Sequence, residues 1–398
     1  MSNRFLFLLV TAFLDAIGLG IIFPIGPALI AKFESDPQVA TYLYGLFISL
    51  YALMQFLSSP VLGGLSDLYG RRIVLLTGLA GAAIDYLVMA YAGSLPILFI
   101  GRIISGMTGG TITVATAYIT DVTTEAERAG RFGQLNAAFG LGFIIGPLLG
   151  GYLGKFSHEL PFFVAAGLNG VNFLYGFFVL PESLSKENRR KFTRAALSPF
   201  KSIGWVLGRK VLVPLVAAYF FLNMCGHFVG TMWAIYNRDK FGWDTDLIGI
   251  SLSAFGISMA VAQSIMPPKF IKWFGERGSV TFGLLGMSVT YFALGMATAG
   301  WMVFALTPVI AFFEASIPAL QNLITARVEQ SRQGELQGTL VGMMSLAGIF
   351  APLVATAVYT PHFRGAPFAL GAVILASLTF LIHYDKRNDA PAAASPAA

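Results

Sequence analysis

The chain has 398 residues, 56% of them hydrophobic and only 12% charged, with net charge +6 and mean hydropathy +0.71. Soluble domains carry about twice that charged fraction, and a single soluble core rarely grows to this length. Cys225 is the only cysteine, which excludes an intrachain disulfide.

The apolar residues arrive in blocks of about 20, enough for a helix to cross a hydrocarbon core of roughly 30 Å. In chain order they are Phe5–Ala31, Tyr42–Gly64, Ile73–Gly93, Leu95–Ile119, Phe132–Gly154, Pro161–Leu180, Val211–Ile235, Leu247–Met266, Val280–Thr298, Met302–Thr325, Leu336–Tyr359 and Pro367–Tyr384. They predict an all-α membrane protein with twelve transmembrane helices. The first block is too long for a cleaved signal peptide and carries Asp15 mid-way, so it is expected to remain as the first helix. The Ala/Pro-rich tail, residues 386–398, predicts disorder.

Basic residues are unevenly shared. With Met1 in the cytoplasm, 20 Lys and Arg fall in cytoplasmic segments and 5 on the opposite side, leaving Arg102 in the membrane. This bias orients the chain with both termini cytoplasmic. The stretch Lys186–Lys210 reads as a membrane-surface linker, and no nucleic-acid partner is expected.

The two halves repeat at an offset of 205. Gly70, Gly78, Gly81 and Tyr86 return as Gly275, Gly283, Gly286 and Tyr291. Ile119-Thr120, Gly133, Leu135 and Pro147-Leu148 return as Ile324-Thr325, Gly338, Leu340 and Pro352-Leu353. Parallel six-plus-six repeats are a known transporter plan, with substrate held between halves near the midplane. The expected domains are residues 1–181, a linker over 182–210, and residues 211–385.

Asp15, Asp85, Arg102 and Glu314 lie inside these apolar spans. Ionisable groups at that depth are costly and mark ion or substrate paths. Depth counting places Asp85 and Arg102 at similar levels on adjacent spans, where a pair is expected. Asp15 reads equally as a proton carrier or as a bond to a neighbouring helix. Glu314 and His227, both mid-span, are expected to face one another and to handle protons, with a hydrogen-bonded core histidine as the plainer role for His227. Gln55, Asn223, Gln263, Gln321 and Asn322 add neutral polar groups for substrate, or merely bridge helices. Asn223 occupies the repeat position of Asp15.

The segment after the second span reads Gly63-Gly64-Leu65-Ser66-Asp67-Leu68-Tyr69-Gly70-Arg71-Arg72. Its glycines suit a tight turn, Asp67 a helix cap, and Arg71 and Arg72 carboxylate binding, with Asp121 in the same layer. These residues are expected to form a cytoplasmic gate. In the fifth span, Gly142, Gly146, Pro147, Gly150 and Gly151 suit close helix packing. No Gly-x-x-x-x-Gly-Lys loop is present, which argues against ATP-driven pumping, and no Ser–His or metal-ligand cluster suggests an enzyme.

The 63–72 segment resembles the loop signature of the major facilitator superfamily, and Gly142–Gly151 resembles its antiporter signature. Within that superfamily the chain is most similar to the tetracycline:proton antiporters of Gram-negative bacteria. The likeness runs from Leu14 to about Tyr359, and the strings carrying it are Leu50–Gln55, Asp85-Tyr86-Leu87, Asn136–Gly142, Phe241-Gly242-Trp243 and Pro318–Gln321. A monomer in a bacterial inner membrane is expected, and the resemblance implies export of a flat, polar, metal-chelating drug in exchange for protons. It implies no cofactor, only a divalent metal travelling with the substrate. It also implies functional roles for Asp15, Asp85 and Arg102, and a gate of Asp67, Arg71 and Asp121. The chain departs from the family pattern at Leu68 (an arginine), Met287 (a carboxylate), Met259 (a histidine) and Glu314 (a small residue). Glu314 is accordingly expected to replace the ninth-span carboxylate. Transport of a natural metabolite such as a siderophore, or a non-transporting receptor, are the rival readings.

Overall fold

A computed structural model describes residues 3–189, 204–206, 208–209 and 211–385. Most of the expected linker and the whole expected tail lie outside these residues. Among those described there is no strand. The helices are α1 (Asn3–Ala31), α2 (Pro37–Tyr69), α3 (Arg71–Ala90), α4 (Leu95–Thr108), α5 (Thr111–Val122), α6 (Glu125–Gly154), α7 (Leu160–Val179), α8 (Val213–Phe241), α9 (Thr245–Met296), α10 (Gly300–Glu314), α11 (Ile317–Thr325), α12 (Gln333–Val358) and α13 (Ala366–Asp385).

Twelve spans emerge from these helices in two unexpected ways. The eighth and ninth spans run together as the 52-residue α9, bent at Gly275, whose φ is +67°. The fourth and tenth spans are each broken, between α4 and α5 and between α10 and α11. The second span is longer than its apolar block. Asp36 caps it by accepting from the Gln38 and Val39 amides at 2.8 and 3.0 Å, and the helix continues to Tyr69. The 63–69 stretch is therefore helix, and a side chain at Gly63 would meet open space.

The sequence repeat is also a repeat of contacts. Gly78 and Gly81 on α3 lie against Thr111 and Thr108. Gly283 and Gly286 on α9 lie against Ser316 and Phe313, the same positions 205 residues on. At each helix break a glutamine binds the carbonyl that the lost turn leaves free. Gln55 Nε2 donates to Gly109 O at 2.9 Å, and Gln263 Nε2 to Glu314 O at 3.4 Å.

The chain forms two compact units. One takes in Met1–Pro199, Val229–Ile257 and Gly348–Arg364. Its core gathers Phe7, Leu8, Leu75, Leu79, Tyr118 and Ile119. α1 packs along α6 because a side chain at Gly142, Gly146 or Gly150 would strike the α1 backbone at Phe13, Ile17 or Ile21. Gly151 instead abuts Thr245 and Gly249 at the start of α9. There Ser253 Oγ donates to Ile144 O at 2.6 Å, and Lys155 pairs with Asp246. That bond raises the Lys155 ammonium above the usual lysine value. The other unit takes in Phe200–Phe228, Ser258–Ala347 and Gly365–Ala398. It centres on Ala262, Phe270, Ala311 and Ala315, with Phe282 and Phe312 packed against them.

Candidate functional site

In the first unit, Gly106 lets α4 approach α2 until a side chain there would meet Tyr51 O at 2.6 Å. This brings Arg102 onto the aromatic faces of α2. Its guanidinium lies 4.4 Å from the Phe47 ring and 5.5 Å from the Tyr51 ring, and Nη2 reaches Met89 Sδ at 3.4 Å. Both Arg102 and Asp85 are buried, at 1% and 0% exposure. The expected ion pair between them does not form within 4.0 Å. The rings of Phe47 and Tyr51 hold the cation instead, as aromatic faces do in a desolvated site. Ser105 stands beside Asp85, and Tyr51, Tyr86 and half-buried Asp15 belong to the same electrostatic cluster. Tyr86 fills the space a side chain at Gly18 would need. Gln55 also reaches Tyr51 Oη at 3.2 Å.

At the α2–α3 junction Arg71 is buried and fully engaged. It bonds Asp67 at 2.6 Å, Asp121 at 3.1 Å and Ser66 Oγ at 2.5 Å. Two expectations change here. Asp67 does not cap α3, because it sits within α2, where it faces Arg71 one turn on. Among the described residues Arg72 binds no carboxylate through its side chain: Nη2 donates to Phe177 O at 2.6 Å on α7. Gly70 turns the chain with φ +108°, a conformation that disfavours any Cβ, and a Cβ there would collide with Glu182. Gly70→Ala is expected to destabilise the purified protein by about 1–2 kcal/mol. Its thermal midpoint measures this, and an unchanged midpoint would show that the turn carries no strain.

In the second unit, Glu314 ends α10 and is 7% exposed. Its Oε1 accepts from Tyr291 Oη at 3.0 Å on α9. The expected Glu314–His227 pair does not form within 4.0 Å. The carboxyl is directed to α9, where Gly283 and Gly286 admit the α10–α11 break, whereas His227 is exposed on α8. Met287 is buried one turn before Tyr291. Asn223 Nδ2 donates to Tyr219 O at 2.7 Å, and Gln321 Nε2 to Tyr219 Oη at 3.1 Å. Asn322 is exposed on α11. Among the described residues no cation lies within ion-pair distance of Asp15, Asp85 or Glu314. Nor is any group of three His, Cys, Asp or Glu placed to hold a metal.

Sequence reasoning missed Tyr51, Phe47, Tyr291 and Glu182. The offset of 205 linking Tyr86 to Tyr291 was the available signal for one of them. For Glu182 there was none beyond its place at the end of the sixth span.

The family model described as Major Facilitator Superfamily matches residues 8–268 and again 215–398. The chain is 40% identical over 376 residues, covering 94% of each protein, to the class C tetracycline resistance protein of Escherichia coli. It is 41% identical over 365 residues to the class G tetracycline resistance protein of Vibrio anguillarum, covering 91% of this chain and 92% of that one. The crystal structure of a D-xylose-proton symporter shares the fold, with TM-score 0.79, 18% identity and 96% coverage of both chains. Twelve apolar spans, a repeated contact pattern and near full-length matches agree: this multi-pass membrane protein belongs to the major facilitator superfamily.

Proposed function

We propose that this protein is a tetracycline:proton antiporter working by alternating access. The observation that carries the reading is identity of 40% and 41% to two tetracycline resistance proteins over more than nine-tenths of the chain. The site chemistry supports it. Asp15, Asp85 and Glu314 are carboxylates within the spans that pair with no cation among the described residues, the kind of group that carries a proton or meets a cationic substrate there. In this reading Asp15 and Glu314 handle protons. Asp85 and the Arg102–Tyr51 stack meet the drug, which travels with a chelated divalent metal. Gln55 and Gln263 each give an amide N–H to a backbone carbonyl at a helix break, which leaves the amide oxygen to meet the drug. Arg71 with Asp67 and Asp121 forms the cytoplasmic gate, and the protein works as a monomer in a bacterial inner membrane with both termini inside.

The test is proton movement in proteoliposomes loaded with purified protein and a pH dye, on addition of tetracycline with magnesium. Tetracycline-triggered proton release is expected. Its absence from intact, protein-loaded vesicles would overturn the substrate.

A further inference from the structure

Helix α3 begins without a side chain of its own to cap it, because the residue before it is Gly70. The first amides of a helix need acceptors. Glu182, 111 residues further on, supplies them. Its Oε1 accepts from the Arg71 amide at 2.8 Å, and Oε2 from the Arg72 amide at 3.2 Å. The same Oε1 also accepts from the Ser183 and Leu184 amides at 3.0 and 3.1 Å, which folds the segment around its own carboxylate. The next side chain completes the arrangement: Ser183 Oγ donates to Asp121 Oδ2 at 3.0 Å. That same oxygen accepts from Arg71 Nε at 3.1 Å. Tyr118 Oη, donating to Pro181 O at 3.0 Å, ties the segment to α5.

We infer that Glu182, together with Ser183, is a positioning residue for the Arg71–Asp121 ion pair. One residue fixes the backbone of the arginine and its neighbour fixes the carboxylate that the arginine binds. A carboxylate on helix N-terminal amides is a charge-assisted bond, favoured further by the helix dipole. With both partners already held, the pair loses less freedom on closing. The end of the sixth span therefore sets how readily the gate closes. Glycine at position 70 is part of the same device, since a Cβ there would occupy the place of the Glu182 carboxylate. This inference rests on the gate and antiport readings above.

The test measures Vmax and KM for tetracycline-driven proton exchange in proteoliposomes for wild type, Glu182→Ala, Asp121→Asn and the double variant. Glu182→Ala is expected to lower Vmax about tenfold, the worth of one charge-assisted bond, with KM unchanged. It should add nothing to Asp121→Asn, since both act through one pair. Glu182→Gln, which keeps an acceptor carbonyl, should recover part of the rate. Wild-type Vmax in Glu182→Ala, a raised KM, or additive losses would overturn the inference. If Glu182→Ala does not accumulate in membranes, Ser183→Ala carries the test with an expected fall of about two- to threefold, and wild-type Vmax there overturns it. No exchange by the wild type overturns this inference and the antiport reading together. Exchange by the wild type beside an unaffected Glu182→Ala overturns this one alone.

Discussion

Glu314→Gln is expected to reach the membrane and bind tetracycline, with tetracycline-driven proton release slowed by about 100-fold or more, as for loss of a proton-transferring group. Glutamine has nearly the same volume and accepts the Tyr291 hydroxyl as glutamate does, so the packing at the α9–α10 contact is preserved. What it lacks is an acidic proton to exchange. The ninth span offers buried Met287 and, one turn on, Tyr291. The tenth span breaks just after Glu314, and the carboxyl reaches the ninth through that hydroxyl. A carboxylate this deep, with no cation beside it among the described residues, is a costly arrangement to keep for packing alone. Tyr291→Phe removes one hydrogen bond to the carboxyl and is expected to slow exchange only by about tenfold. Proton release that survives Glu314→Gln would move the coupling to Asp15 or Asp85.

Gly146→Leu is expected to prevent accumulation of folded protein, through a loss of about 3 kcal/mol or more from overpacking. A Cβ at Gly146 would lie 2.7 Å from Ile17 O and 2.9 Å from Gly20 Cα. Both are backbone atoms of α1, so no side chain can swing aside, and α1 would have to leave α6 along a seam that Gly142 and Gly150 also need closed. Gly140→Leu on the same helix is the control, because a Cβ there meets nothing within 4 Å. Membrane levels and thermal midpoints of the purified variants decide the matter. Equal midpoints for the two would show that the α1–α6 seam tolerates separation.

The spans were legible in sequence because apolar length is a local property. The repeat was legible because one offset, 205, runs through Gly70, Gly78, Gly81 and Tyr86. Arg71 and Asp121 were legible as a layer, and they meet at 3.1 Å. Other expectations failed where a choice among partners was needed. Arg102 and Asp85 share a depth, but depth does not say which way a guanidinium turns, and the faces of Phe47 and Tyr51 lie within its reach. Glu314 and His227 share a depth too, yet the carboxyl is buried on Tyr291 while His227 is exposed, and depth alone does not fix which face of a helix a residue takes.

By itself, the sequence determined a twelve-span chain, its internal repeat, and which charges lie inside the apolar spans, because each follows from composition along the chain. Tertiary structure alone decided the partners. It set the helix breaks at Gly109–Gly110 and Ala315–Ser316, the glutamine at each, Tyr291 on Glu314, and Glu182 on the start of α3. The physical reason is that a buried polar group must be satisfied by whatever donor or acceptor packing brings within about 3 Å. That neighbour stands 111 residues away for Glu182 and Arg71, a separation no local pattern encodes.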